Sequence, residues 1–210
     1  MKPLKEFIIE EGFLRKNLSL GKEALIKKWL DEHRIINYTI NDDLTIDVNG
    51  YVDLRHYKEK QLPDYIQFGK VTWHFYILNC PNLTSLKGCP KEVSGDFDCF
   101  LCPKLESLKG TPQKVGRNFN CCDCSSLTSL KGCPQEVRGG FDCSECPELE
   151  SLEGTPQKVG EFVCSGCPKL KSLDGCPKEV VDYFNCRECG IKFTVDDVKK
   201  VCKVKGKILT

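Results

Sequence analysis

Six phenylalanines recur along the chain at nearly constant intervals, and this repeat constrains the fold more than any other feature. The period is 22 residues with a single step of 21, and the set is Phe75, Phe97, Phe119, Phe141, Phe162 and Phe184. Around them the chain repeats F-x-C-x-x-C-x-x-L-x-S-L-x-G-x-P-x-x-V, as in FNCCDCSSLTSLKGCPQEV over residues 119–137. A unit this short cannot bury its apolar side chains alone. The repeat therefore predicts a solenoid, in which stacked turns share one core.

One unit predicts a short strand followed by two turns. Phe119 and Cys121 alternate with Asn120, so the first two point inward and the third points outward. The two leucines then return to the core, the Gly-x-Pro segment bends the chain, and the valine closes the coil. A double period is superimposed, because the residue after the bending glycine alternates between cysteine and threonine: Cys89, Thr111, Cys133, Thr155 and Cys176. This alternation indicates duplication of a two-repeat block, and the three cysteines are predicted to lie on partly exposed loops.

The unit resembles a leucine-rich repeat, with F-x-C-x-x-C-x-x-L in place of the family's L-x-L-x-x-N/C-x-L. The LTSL…P…V portion is similar to the short repeats of bacterial effectors and of proteins encoded by phages and large viruses. The resemblance covers residues 75–190, and Val52 and Leu54 would form an earlier, degenerate turn. It departs from the family in having Phe and Cys where Leu is usual. It implies a predominantly β solenoid of short parallel strands, in which the second cysteine column donates to backbone carbonyls.

The segments on either side of the repeats predict caps that cover the ends of the core. Residues 1–50 are interpreted as a helical and short-strand capping region, residues 51–190 as the solenoid, and residues 191–210 as a C-terminal capping helix. Apolar residues at helical spacing predict one helix within residues 1–11 and another over residues 20–34, with Ser19 as its N-cap and Leu25, Ile26, Trp29 and Leu30 as its inner stripe. The last helix is predicted to begin near Thr194 with Val195, Val198 and Cys202 facing inward.

Aligned repeats place the cysteines in two columns. The first is Ile77, Cys99, Cys121, Cys143, Cys164 and Cys186, and the second is Cys80, Cys102, Cys124, Cys146, Cys167 and Cys189. Stacked CxxC pairs are a legitimate zinc or thiol-redox signature, whose ligands would be Cys99, Cys102, Cys121, Cys124, Cys143 and Cys146. The inward position of both columns, and Ile77 in the first, favour instead a core ladder without metal. Cys122 falls between the columns and is predicted to point outward.

Composition and motifs exclude several classes of function. The 31 basic and 30 acidic residues nearly cancel, so no overall field directs the chain to nucleic acid or membrane. No catalytic or nucleotide-binding motif is present, and His33, His56 and His74 lie in different segments, so no enzyme activity, cofactor or small-molecule substrate is predicted. The N-terminus does not read as a signal peptide, and 16 cysteines are best kept as thiols in a reducing cytoplasm, that of the host if the protein is encoded by a phage.

The remaining surface of interest is the outward side of the predicted strands. Most outward positions are polar, but the first two repeats carry an apolar and aromatic cluster with acidic neighbours. The predicted partner-binding residues are His74, Tyr76, Leu78, Asp98, Phe100, Cys122 and Asp142. Aromatic anchors with a polar rim are typical of protein interfaces, so we expect a protein partner here. The alternative is that the N-terminal helices cover the cluster.

Overall fold

The computed structural model describes residues 20–210, which form a parallel β-solenoid with one helix at each end. The described part of helix α1 covers residues 20–32, and α2 is Val195–Val201. The strands are β1 Tyr38–Ile40, β2 Ile46–Val48, β3 Val52–Asp53, β4 Phe68–Val71, β5 Phe75–Tyr76, β6 Glu92–Val93, β7 Phe97–Asp98, β8 Lys114–Val115, β9 Phe119–Asn120, β10 Glu136–Val137, β11 Phe141–Asp142, β12 Lys158–Val163, β13 Glu179–Asn185, β14 Lys203–Val204 and β15 Lys207–Leu209.

These strands form two sheets that run along the solenoid. The first sheet has the order β1-β2-β4-β6-β8-β10, and the second has the order β14-β13-β12-β11-β9-β7-β5-β3, with β15 also paired to β13. All pairs are parallel except β1 with β2. The second sheet holds the Phe-containing strands and confirms the predicted one, including the degenerate turn, because Val52 pairs with Phe75. The first sheet was not predicted: the valine expected only to close the coil lies in a strand of its own.

The core consists of the inward columns of the repeat. The Phe side chains from Phe75 to Phe184 are fully buried, and the ring centroids of neighbours lie 5.0–5.9 Å apart. Both cysteine columns and both leucines of each repeat pack beside them. A fully buried Phe contributes about 1.5–3 kcal/mol relative to an exposed one, so this stack is a major part of the stability.

The bend after the leucines requires glycine. Gly110 has a φ of 99°, and a Cβ there would lie 2.6 Å from the carbonyl oxygen of Leu86 in the preceding turn. The next residue is buried rather than exposed, which corrects the prediction for Cys89, Cys133 and Cys176. In three turns the side chain at this position donates to the bending glycine of the following turn: Thr111 Oγ1 to the Gly132 carbonyl at 2.6 Å, Cys133 Sγ to the Gly154 carbonyl at 3.0 Å, and Thr155 Oγ1 to the Gly175 carbonyl at 2.5 Å. Cysteine and threonine alternate here because both are small donors.

A second alternation follows the strands that hold the closing valines, which belong to the first sheet as far as β10 and to the second sheet from β12 onward, and it was missed in the sequence. The residue before the closing valine alternates in sign from turn to turn: Lys70, Glu92, Lys114, Glu136, Lys158, Glu179 and Lys203. Stacked strands lie ~4.8 Å apart, so like charges at this position would repel each other. Instead, Lys70 pairs with Glu92 at 3.3 Å, Lys114 with Glu136 at 3.1 Å, and Lys158 with Glu179 at 3.0 Å. This charge ladder gives the double period a physical reason.

Both ends of the solenoid are capped within the described residues. In α1, Ile26, Trp29 and Leu30 are buried as predicted, but Leu25 is 49 % exposed. The Trp29 ring packs edge-on against Tyr57 and Phe68 of the first turn.

At the other end, α2 begins directly after Thr194, as predicted, and Thr194 caps it in a capping box with Asp197 that was not predicted. Val198 and Cys202 face the core, whereas Val195 is 39 % exposed and was wrongly placed in the inner stripe. Ser19 and the helix predicted within residues 1–11 lie outside the described residues. In residues 20–210, neither helix is long and apolar enough to cross a membrane.

Candidate functional site

The outward side of the second sheet, here called the strand face, carries three columns of side chains. They stand one residue before each Phe, one residue after it and three residues after it. Because neighbouring strands are in register, for example Phe97 with Phe119, each column places equivalent residues of successive turns side by side. The predicted partner-binding residues all lie in these columns, and all are half-buried.

Side chains in the column before the Phe accept hydrogen bonds from the backbone of the next turn. The backbone N–H of each residue donates to the side chain of the preceding turn: Asp96 N–H to His74 Nδ1 at 3.0 Å, Asn118 N–H to Asp96 Oδ1 at 2.9 Å, and Gly140 N–H to Asn118 Oδ1 at 2.8 Å. His74 Nδ1 also lies 3.0 Å from Asp96 Oδ2, as an ion pair would.

Several side chains of the column after the Phe cap the ends of their strands. Asn120 Oδ1 accepts the N–H of Cys122 at 3.0 Å, and Asp142 Oδ1 accepts both the N–H and the hydroxyl of Ser144, at 2.9 Å and 2.6 Å. These are local Asx turns, which take one N–H per turn out of the strand ladder.

Asp98 stands in the same column but does not cap the end of its strand. Within residues 20–210, no hydrogen bond or ion pair reaches its carboxylate. Burial, and secondarily the negative charge of Asp96, raise the pKa of Asp98 to about 6. An ionised carboxylate is held here without a compensating partner, which is costly and is typical of functional positions.

The second cysteine column forms a thiol ladder on the inner side of the same turns. Each thiol reaches the backbone carbonyl two residues after the Phe of the preceding turn, as in Cys124 Sγ to the Cys99 carbonyl at 3.4 Å and Cys146 Sγ to the Cys121 carbonyl at 3.4 Å. The same contact recurs from Cys80 to Cys189 at 3.3–3.5 Å. The thiols therefore serve as core donors, in the way that the leucine-rich-repeat resemblance implied.

The cysteines named as alternative metal ligands are all buried in this ladder or beside it. Burial raises the pKa of Cys99, Cys121 and Cys143 well above the ordinary value, which disfavours the thiolate that a metal requires. In the part of the chain that the structure describes, no three His, Cys, Asp or Glu side chains are arranged to hold a metal ion. Cys122 points outward as predicted and is half-buried, and burial raises its pKa to about 12.

The aromatic patch consists of His74, Tyr76, Leu78, Phe100 and Cys122. The rings of His74 and Tyr76 stack with centroids 5.5 Å apart and planes 11° apart. The other three residues occupy one column in successive turns, and each keeps part of its surface in solvent. Since α1 packs against the end of the solenoid, the patch is open within residues 20–210, and the adjacent Trp73 is 62 % exposed.

A groove of about 340 Å³ continues from the patch along the strand face. Asp98 and Asp142 line it, as do three residues that were not predicted as site residues: Asp96, Glu161 and Tyr183. All three stand in the column before the Phe, so the repeat alignment contained the signal. What the alignment lacked was the depth of the groove, which depends on the absence of a side chain at Gly140.

The fold and this geometry are the basis for any assignment, because no protein-family model, curated protein or solved structure matches the chain.

Proposed function

We propose that this chain is a non-enzymatic interaction module of the leucine-rich-repeat type, which binds a partner protein through its strand face. The observation that carries the proposal is the cluster of Tyr76, Leu78 and Phe100, half-buried side chains in two neighbouring columns of an open sheet whose strands are in register. Large side chains on a scaffold that loses little entropy on binding are what an interface needs at its centre. The resemblance to repeats of bacterial effectors and phage proteins favours an effector role in a host cytoplasm.

The test begins with gentle purification from the native host under reducing conditions, followed by native mass spectrometry. A complex with a second protein is expected, and Phe100→Asp should abolish it without changing the far-UV circular dichroism spectrum. Ile191→Asp is the matched control, because Ile191 is 46 % exposed but lies off the strand face. An unfolded Phe100→Asp variant, or a complex that survives the substitution, would contradict the proposal.

The same native mass spectrum distinguishes protein binding from the alternative function, metal binding or thiol redox chemistry. Mass increments of zinc, or of iron and sulfur, would favour metal chemistry at the CxxC pairs instead. Three pairs of neighbouring thiols are the candidates for redox chemistry: Cys80 with Cys102, Cys164 with Cys189, and Cys176 with Cys202. All of these thiols except the half-buried Cys189 are buried, which shields them from oxidants in the folded protein.

A further inference from the structure

Three carboxylates on the strand face lack the cationic neighbours that carboxylates elsewhere on the solenoid have, whereas a fourth, Asp96, lies 3.0 Å from His74 Nδ1 and 3.9 Å from Arg117 Nε. In the charge ladder, Glu92, Glu136 and Glu179 each pair with a lysine, and on the leucine side Glu148 pairs with Lys169 and Glu153 with Lys131. On the strand face, Asp98, Asp142 and Glu161 form no ion pair within residues 20–210. The net charge of the whole chain is only +1, so this face is acidic because of where its carboxylates are placed and not because the chain is acidic overall.

The acidic groove is continuous with the aromatic patch. Tyr76 and Phe100 belong to the first two Phe-containing turns, and the groove begins at Asp98, which is the register partner of Tyr76 and stands two residues before Phe100 in the same turn. The strand face therefore offers one apolar end and one anionic end along the solenoid axis.

We propose that the strand face binds an extended, cationic segment of the partner protein, with an apolar side chain on the aromatic patch and lysine or arginine side chains in the groove. The proposal rests on the proposed function and adds the chemistry of the partner. Charge complementarity is the argument for this occupant, since it gives Asp98 and Asp142 the cations that the chain itself does not supply.

The spacing of the groove indicates how such a segment would be built. Asp98 and Asp142 stand two turns apart, which is roughly 10 Å at the spacing of stacked strands. An extended chain advances ~3.3 Å per residue, so cations three residues apart would match these two carboxylates. The segment would run along the solenoid axis and across the strands, with its apolar residue at the end nearer β5.

The test uses two fluorescein-labelled decapeptides and fluorescence anisotropy. One peptide has a phenylalanine followed by three lysines at every third position, and its twin has glutamate in place of each lysine. The lysine peptide is expected to bind, more weakly as salt is added, and the glutamate peptide is not.

Asp98→Asn and Asp142→Asn are each expected to weaken binding about tenfold, the factor that 1.4 kcal/mol represents. Asp174→Asn removes one exposed carboxylate from a loop off the strand face and should leave the affinity unchanged. Equal weakening by Asp174→Asn, or no binding of the lysine peptide, would overturn the proposal.

Two further outcomes are distinguishable. If the lysine peptide does not bind but Phe100→Asp still abolishes the native complex, the proposed function stands and only the cationic segment is refuted. If the wild-type chain self-associates at low salt in sedimentation, and Asp98→Asn abolishes this, the groove binds a second copy. The lysines of β14 and β15 would then be the occupant, and a separate cationic partner would be refuted.

Discussion

Replacing Asp98 by asparagine is expected to stabilise the folded chain at neutral pH. The side chain is half-buried beside Asp96 and has no hydrogen bond or ion pair within the described residues. Asparagine has nearly the same shape and carries no charge, so it avoids both the desolvation of an ionised carboxylate and the repulsion by Asp96.

The size of the gain follows from the pKa. Burial raises the pKa of Asp98 from 3.8 to about 6. A shift of about two units corresponds to an upper limit of about 3 kcal/mol, at 1.36 kcal/mol per unit. Because part of the side chain remains in solvent, screening lowers the expected gain to about 1–2 kcal/mol.

The sign of the pH dependence is fixed by the raised pKa. Below the pKa of the unfolded chain, the Asp98 carboxyl is protonated in both states and costs nothing. As pH rises towards about 6, the unfolded chain has already released this proton but the folded chain still holds it, so the stability of the wild-type chain falls. The advantage of Asp98→Asn should therefore grow between pH 4 and 6 and remain constant above it.

Urea unfolding followed by circular dichroism from pH 4 to 8 measures this advantage. The matched control is Asp174→Asn, an exposed carboxylate for which little change is expected at any pH. A variant that is less stable than wild type would refute the reasoning, because it means that the Asp98 carboxylate has a favourable partner. An advantage that does not vary with pH would refute it as well, because the pKa of Asp98 is then not raised by folding. A stabilised variant that binds the lysine peptide poorly would show that stability is sacrificed for binding here.

Three other substitutions or treatments test the remaining structure. Cys124→Ser is expected to lower the free energy of unfolding by about 1–3 kcal/mol, because it places a hydroxyl in the buried thiol ladder. Cys122→Ser, outside the ladder, should lower it by less than about 0.5 kcal/mol. Urea unfolding of the two variants measures this difference, and equal effects would contradict the ladder. Glu136→Lys places a second positive charge next to Lys114 and should destabilise the folded chain by about 0.5–1 kcal/mol at low salt and by less at high salt. Thermal unfolding at two salt concentrations measures this loss, and the absence of a salt effect would count against the charge ladder. With Ellman's reagent at pH 8, the 14 buried thiols should react slowly in the native protein, as should Cys122, whose pKa burial raises to about 12, whereas all 16 thiols should react in urea. The half-buried Cys189, whose pKa is lowered by its hydrogen bond with Cys164, is expected to react first; rapid labelling of further thiols of the folded chain would favour thiol chemistry instead.

The sequence by itself determined the solenoid, its inward columns and the presence of a cap at each end. A period of 22 residues, with alternation around each Phe, permits one inward assignment of Phe119, Cys121 and Cys124, because the opposite face would bury Asn120. The start of α2 at Thr194 was predictable for a similar reason, since its capping signal lies within four residues. Information of this kind is local or strictly periodic.

Only the tertiary structure decided which residues of neighbouring turns face each other. The first sheet, the charge ladder and the burial of Cys133 depend on contacts between residues about one turn apart in the sequence, and a two-residue strand such as β10 has no local pattern of its own. The same holds for the groove, where Asp142 caps a backbone N–H while Asp98 does not, although both occupy the same place in the repeat. Repeat position fixes which face a side chain is on, but its partners and its desolvation are set by the turns above and below it.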